Sequence, residues 1–266
     1  MRNLYVLFLV TLVSFVPTHA RAGAWLQNEN DGQIITTFRY YSTDTFFTPD
    51  GSKTKIPDFS KTEINPYFEY GLRNWITIGG DLDLASVSND TPHLKDITDT
   101  KINSGSIFAR AYLYHQGNYV VSLEPGIDFP SSIGSDLTSD GSKPIPELKL
   151  NFGYGFAMNG RNHFFDASLK YRKRSDGGLD DMVKGEATLG YKLSDDFTAL
   201  AQLSQEETLG PVDKGISGNY NLTKPQLSVL YDYSKSFSHQ LGVFSDIYGQ
   251  NVGAGYGVTY SVWYKF

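Results

Sequence analysis

The feature that most constrains this chain lies at its C-terminal end. Residues 255–266 read GYGVTYSVWYKF, in which Tyr256, Val258, Tyr260, Val262, Tyr264 and Phe266 alternate with Gly255, Gly257, Thr259, Ser261, Trp263 and Lys265. Strict period-two alternation describes an extended strand with two unlike faces. The apolar row runs to the last residue, so nothing that follows covers it. Hydrocarbon would. The strand is therefore expected to show its aromatic face to lipid.

The opposite end carries an export pattern. Arg2 precedes an apolar run at 4–16, Pro17 interrupts it, and Ala20-Arg21-Ala22 forms an A-x-A site. This is the layout of a secretory signal peptide, so residues 1–22 are expected to be removed and 23–266 to form the mature domain; cleavage after Ala20 is the alternative. The run is too short to stay in a membrane as a helix, and no later segment approaches the roughly 20 apolar residues a spanning helix needs. If this chain sits in a membrane, it does so as a barrel.

Composition agrees with that reading without deciding it. The mean hydropathy is slightly negative, as expected when strands offer lipid only every second side chain. Eighteen Tyr and 17 Phe suit strands and membrane interfaces, and 26 Gly suit close strand packing and tight turns. The absence of cysteine excludes disulfides, thiolate metal sites, a cysteine nucleophile and a lipoprotein anchor. With Arg2 and Arg21 set aside, the 23 basic residues fall to about 21 against 29 acidic ones, a balance that disfavours a nucleic-acid partner.

Strand-like segments recur at 33–46, 59–72, 75–87, 104–116, 118–129, 145–157, 163–174, 183–193, 197–209, 222–234, 239–249 and 255–266. Tight turns such as Gln116-Gly117-Asn118 and Ser194-Asp195-Asp196 alternate with longer polar stretches at 47–58, 88–103, 130–144, 175–182 and 210–221. Short turns at one end and long loops at the other predict an all-β, closed, antiparallel up-and-down transmembrane barrel of about 12 strands, with both termini on the periplasmic side. A soluble sandwich shares the strand periodicity; the export signal, the alternating loop lengths and Phe266 favour the barrel. Trp75, Tyr119, Phe164, Phe197 and Phe237, beside the tight turns, are expected to form an interfacial girdle.

Two stretches carry resemblances. The closing strand resembles that of bacterial outer-membrane barrels, in which a terminal aromatic belongs to the signal read by the barrel-assembly machinery; Tyr264 and Phe266 hold those positions here. The hairpin EINPYFEYGLRNWITIGGDL at 63–82 resembles that of the transporters grouped with the meta-pathway phenol degradation proteins. Tyr70-Gly71-Leu72 and Gly79 stand at its characteristic positions, with looser echoes at Tyr154-Gly155 and Gly190-Tyr191. The resemblance implies an outer-membrane channel for small, hydrophobic or aromatic solutes, with no catalytic residues and no cofactor. Fatty-acid-type channels carry an N-terminal hatch. The few residues ahead of the first strand are too few for one, so any plug is expected to come from the loops.

The alternation turns charges of both signs inward. Arg39, Glu69, Arg110 and Glu124 are the residues expected at the centre of a lumen constriction, and the same charges would also serve to fill a narrow bore with salt bridges. Arg172, Lys173 and Arg174 end the seventh strand on the outer side, where they would meet lipopolysaccharide phosphates or form a solvated loop edge. Asp96, Asp99, Asp176, Asp180 and Asp181 lack the ligand spacing of a calcium loop and are read as solvated, so no metal is assigned. None of His93, His115, His163 and His239 stands in a His-x-Ser arrangement, so no catalytic residue is assigned either. The expected partners are outer-membrane lipid and lipopolysaccharide, the assembly machinery and a small solute. A non-conducting, partner-binding barrel is the alternative.

Overall fold

The computed structural model describes residues 23–89, 97–129, 143–174, 180–212 and 219–266. Its strands are β1 (Gly32–Phe47), β2 (Lys53–Arg73), β3 (Ile76–Asn89), β4 (Ile97–Gln116), β5 (Tyr119–Phe129), β6 (Ile145–Met158), β7 (Arg161–Arg172) and β8 (Met182–Lys192). There follow β9 (Phe197–Thr208), β10 (Asn221–Asp232), β11 (Phe237–Ser245), β12 (Tyr248–Gln250), β13 (Val252–Gly253) and β14 (Tyr256–Lys265). β11 and β12 are one stave interrupted at 246–247, and β13 and β14 another interrupted at 254–255. The result is twelve antiparallel staves in chain order, closed by β14 on β1. At the seam Phe266 N donates to Gly32 O at 3.0 Å and Gly32 N to Phe266 O at 2.8 Å.

Closure leaves no free edge, and it turns the usual relation of inside to outside around. Tyr256, Val258, Tyr260 and Tyr264 of β14 are exposed, while Thr259, Ser261 and Trp263 between them are buried. Leu148, Leu150 and Phe152 of β6 and Leu227, Val229 and Tyr231 of β10 likewise face outward, whereas Arg110, Glu69, Asn151 and Ser122 are buried. An apolar exterior around a polar interior is the arrangement hydrocarbon demands. No helix among the described residues is long and apolar enough to cross a membrane, so any crossing is made by strands.

The turns are set by local chemistry. Asn159 and Gly160 both take positive φ, 53° and 72°, the left-handed pair that a two-residue hairpin needs, and Met158 pairs directly with Arg161 across them. Parts of two expected loops prove to be strand. β2 begins at Lys53 rather than at 59, because Thr48, Asp50 and Ser52 tie a compact turn: Thr48 N donates to Ser52 O at 2.8 Å and Gly51 N to Thr48 O at 2.8 Å. β4 begins at Ile97 rather than 104. Both extensions are polar stretches that read as loop by composition, yet strands that project past the lipid have no need of apolar residues. Much of the expected loop at 130–144 and parts of those at 88–103, 175–182 and 210–221, with Asp96 and Asp176, lie outside the described residues.

One girdle residue is placed differently. Trp75, Tyr119, Phe197 and Phe237 are exposed near the tight turns, but Phe164 points inward, edge-on to Trp25 at 6.1 Å between ring centres. There it packs against Leu200, Leu230, Trp263 and Ile35, an apolar cluster inside the barrel near its turn end.

Candidate functional site in the lumen

Three of the four residues expected at the constriction meet. Arg110 on β4 donates through Nε to Glu124 on β5, and its Nη1 lies 2.7 Å from Glu69 Oε1 on β2. The three are almost fully buried, with Arg110 at 1% and Glu69 at 0% exposure. Tyr67 donates to Glu69, and Gln33 Nε2 donates to the same carboxylate at 3.0 Å. The Arg110 guanidinium also lies over Phe108 at 5.2 Å. A planar cation between two carboxylates is well satisfied here, as the low-dielectric interior requires. Arg39 does not join them. It pairs with Glu63 at 3.1 Å on another part of the wall, half-exposed and over Phe244.

The trio is also the floor on which residues ahead of β1 rest. Residues 24–27 lie inside the barrel outside any strand, and their backbone is bonded to side chains of the wall. Ala24 N donates to Asp166 Oδ2 at 2.7 Å, Leu26 N to the Tyr112 hydroxyl at 3.1 Å and Gln27 N to Thr77 Oγ1 at 2.9 Å. In return Ser122 donates to Ala24 O at 2.9 Å and Arg110 to Trp25 O at 3.2 Å, while Gln27 Nε2 donates to Glu69 at 2.8 Å. The expectation that any plug must come from the loops is thus corrected. Residues 24–27, bonded to Asp166, Tyr112, Thr77, Ser122, Arg110 and Glu69, occupy the lumen beside the trio, so a handful of residues ahead of β1 is enough to obstruct it.

Glycines make that room. A Cβ on Gly71 would lie 1.8 Å from the Asn28 carbonyl oxygen, and one on Gly153 would lie 2.8 Å from the Trp25 ring. The glycine of Tyr70-Gly71-Leu72 is therefore required where the segment crosses the wall, and Gly153 where the indole is seated. Sequence reasoning missed the segment; the signal available was Trp25-Leu26, a large apolar pair outside every strand.

Beyond this closure the lumen opens toward the loop end. A cavity of about 210 Å3 is lined by Tyr67, Phe108, Arg110, Lys149, Lys170 and Glu186 among others, and it adjoins one of about 400 Å3 reaching Asp83, Asp128, Arg172 and Tyr220. On one side Tyr67 stacks with Phe108 at 6.0 Å. On β6, β7 and β8, Lys149, Lys170 and Lys184 are direct register neighbours. Lys170 is held by Glu147 at 2.7 Å and Lys184 by Glu186 at 3.0 Å, but Lys149 stands 4.0 Å from both Glu124 and Glu186.

The basic end of β7 is divided. Arg172 turns inward to Asp128 and, at 2.9 Å, to Glu147; Arg174 is buried, donating to Asp180 O at 2.6 Å. Lys173 is exposed and pairs with Asp181 at 2.8 Å. The expectation that all three face outward is corrected: only Lys173 does, because alternation and neighbouring acids draw both arginines inside. His163 lies between Phe156 and Tyr191, with Nδ1 accepting from Lys192 N at 3.1 Å, and His239 Nδ1 lies 2.8 Å from the Tyr260 hydroxyl. At the seam Tyr264 and Phe266 are exposed with rings 5.7 Å apart.

Comparison with solved structures places this architecture. The COG4313 outer membrane channel from Pseudomonas putida F1 superposes with a TM-score of 0.67, covering 93% of this chain and 100% of its own at 10% identity. The fold is that of outer-membrane β-barrels. The NanC porin matches at a TM-score of 0.53 and 10% identity over 88% of this chain and 98% of its own. The KdgM porin matches at 0.51 and 14% over 88% and 99%. No family model and no curated protein matches the sequence, so the likeness to the meta-pathway phenol degradation group rests on its hairpin.

Proposed function

We propose that this barrel is an outer-membrane channel for small solutes, exported by a cleaved signal and closed from the periplasmic side by its own N-terminal segment. The observation that carries the reading is the divided lumen: cavities lined by charged side chains toward the loops, and a bore shut by residues 24–27 at the Arg110 trio. Passage then requires the segment to leave; much of the loop sequence expected to constrict the lumen lies outside the described residues. The chemistry of the inner cavity favours a small aromatic acid. Tyr67 and Phe108 offer a flat apolar wall, and the row Lys149–Lys170–Lys184, in which like charges stand side by side, gains from a carboxylate. A hydrocarbon without a charged group has no such partner. The reading involves no catalysis, metal or cofactor. Lys173 is the proposed contact for lipopolysaccharide, and Tyr264 with Phe266 the proposed signal for the assembly machinery.

Planar-bilayer recording tests this. Brief openings by the intact chain, steady conductance after removal of residues 23–29, and block by benzoate from the loop side are expected. The second reading, a non-conducting barrel that stabilises the envelope or binds a partner, is favoured by the salt-bridged bore. Silence from both folded chains would establish it instead.

A further inference from the structure

The plug begins at a buried carboxylate. Gly23 takes φ +88°, and a Cβ there would fall 2.1 and 2.2 Å from the two carboxylate oxygens of Asp166. Its nitrogen, two bonds from that position, therefore lies within about 5 Å of the carboxylate. Asp166 is 9% exposed and accepts Ala24 N through Oδ2. Among the described residues no lysine or arginine forms an ion pair with it; Lys149, the nearest candidate on β6, is shared between Glu124 and Glu186. A second group nearby is also unmet. Asn151 is fully buried, and neither its Nδ2 nor its Oδ1 has a hydrogen-bond partner. It is the register neighbour of Ser122, which holds the Ala24 carbonyl, and sits two residues from Gly153, the register neighbour of Asp166.

We infer that hydrolysis of the Ala22–Gly23 amide supplies the missing cation: the freed Gly23 ammonium binds Asp166, with the Asn151 amide oxygen as a further acceptor, and this seats the plug. The cut consumes one water and leaves a carboxylate on Ala22 and an ammonium on Gly23. Before it, the Gly23 nitrogen is a neutral amide and brings Asp166 no charge, so the seat is held by the Ala24 N–H bond without an ion pair. Cleavage after Ala20 would carry the charge two residues away from Asp166. The inference rests on the export signal proposed above and is independent of whether the barrel conducts.

The test uses full-length protein expressed with its leader and extracted folded from outer membranes. Intact mass identifies the N-terminus, and an aldehyde selective for α-amines then measures how fast it is labelled. The expected result is a chain beginning at Gly23 whose amine reacts at least about tenfold slower than in the Asp166→Asn variant, since a buried charge-assisted bond holds the closed form. A second variant with two residues added ahead of Gly23 keeps the wall intact and should label as fast as Asp166→Asn, whether or not the latter folds. A mature chain starting elsewhere, or a folded Gly23 amine as reactive as in the extended chain, overturns the inference. An uncleaved chain would instead overturn the export reading itself.

Discussion

Arg110 lies almost fully buried between two carboxylates, and removing it would leave both buried without their close cation. Loss of one member of such a pair costs about 3–5 kcal/mol. Arg110→Ala is therefore expected to lower the urea midpoint of the barrel in detergent by an amount corresponding to that range, whereas Arg39→Ala should move it less, since Arg39 is partly exposed and its buried partner Glu63 keeps Lys61 at 2.5 Å. Equal shifts would remove the distinction between the two arginines. Lys149→Gln should weaken benzoate block with unitary conductance nearly unchanged, because Lys149 is the least engaged of the three lysines. At the β1–β2 tip, hydrogen bonds from Thr48 and Ser52 hold the Asp50 carboxyl down to about 2. A depressed carboxyl stabilises the turn above its ordinary range and loses that contribution as pH falls through about 2. NMR titration of the side chain should show that midpoint, and a midpoint near 4 would mean the turn is not formed in solution.

At the scale of elements, the segment ahead of β1 and the staves around it depend on particular glycines. Gly71→Val puts a side chain where the Asn28 carbonyl sits, so the segment is expected to be expelled and conductance to rise toward that of the chain lacking 23–29, with the barrel still closed. Conductance equal to wild type would show that the crossing point is not needed for closure. The staves themselves were legible in the sequence, since period two and turn residues at regular intervals fix a hairpin array. Glu69, Arg110 and Glu124 were legible as inward charges for the same reason. Arg39 was not separable from them, because alternation gives a residue's face but not its depth or angle around the barrel. Gly23 to Asp31 carry no periodicity, and only three-dimensional closure brings Ala24 to Asp166, 142 residues away.

For the whole molecule, the exposed apolar exterior makes a prediction that a soluble protein would fail. Leu227 is 63% exposed on β10. Leu227→Arg on the surface of a water-soluble sandwich would be harmless, but facing the middle of a bilayer it costs about 2–4 kcal/mol. Refolding into lipid vesicles, followed by the unheated gel migration of the closed form, should show that loss. Full tolerance of the arginine would place this face in water.

The seam between Gly32 and Phe266 sets the order in which this object can be made. The first strand waits with an open edge until the last one has been synthesised and delivered, and nothing in between can satisfy it. A chain broken off early is thus not a smaller barrel but an open ribbon, with lipid-seeking residues on one side and unpaired amides along two edges. Such a ribbon has to be kept apart from its copies throughout its passage. The two backbone bonds between Gly32 and Phe266 can form only once β14 has reached β1, which makes them the closing step of assembly.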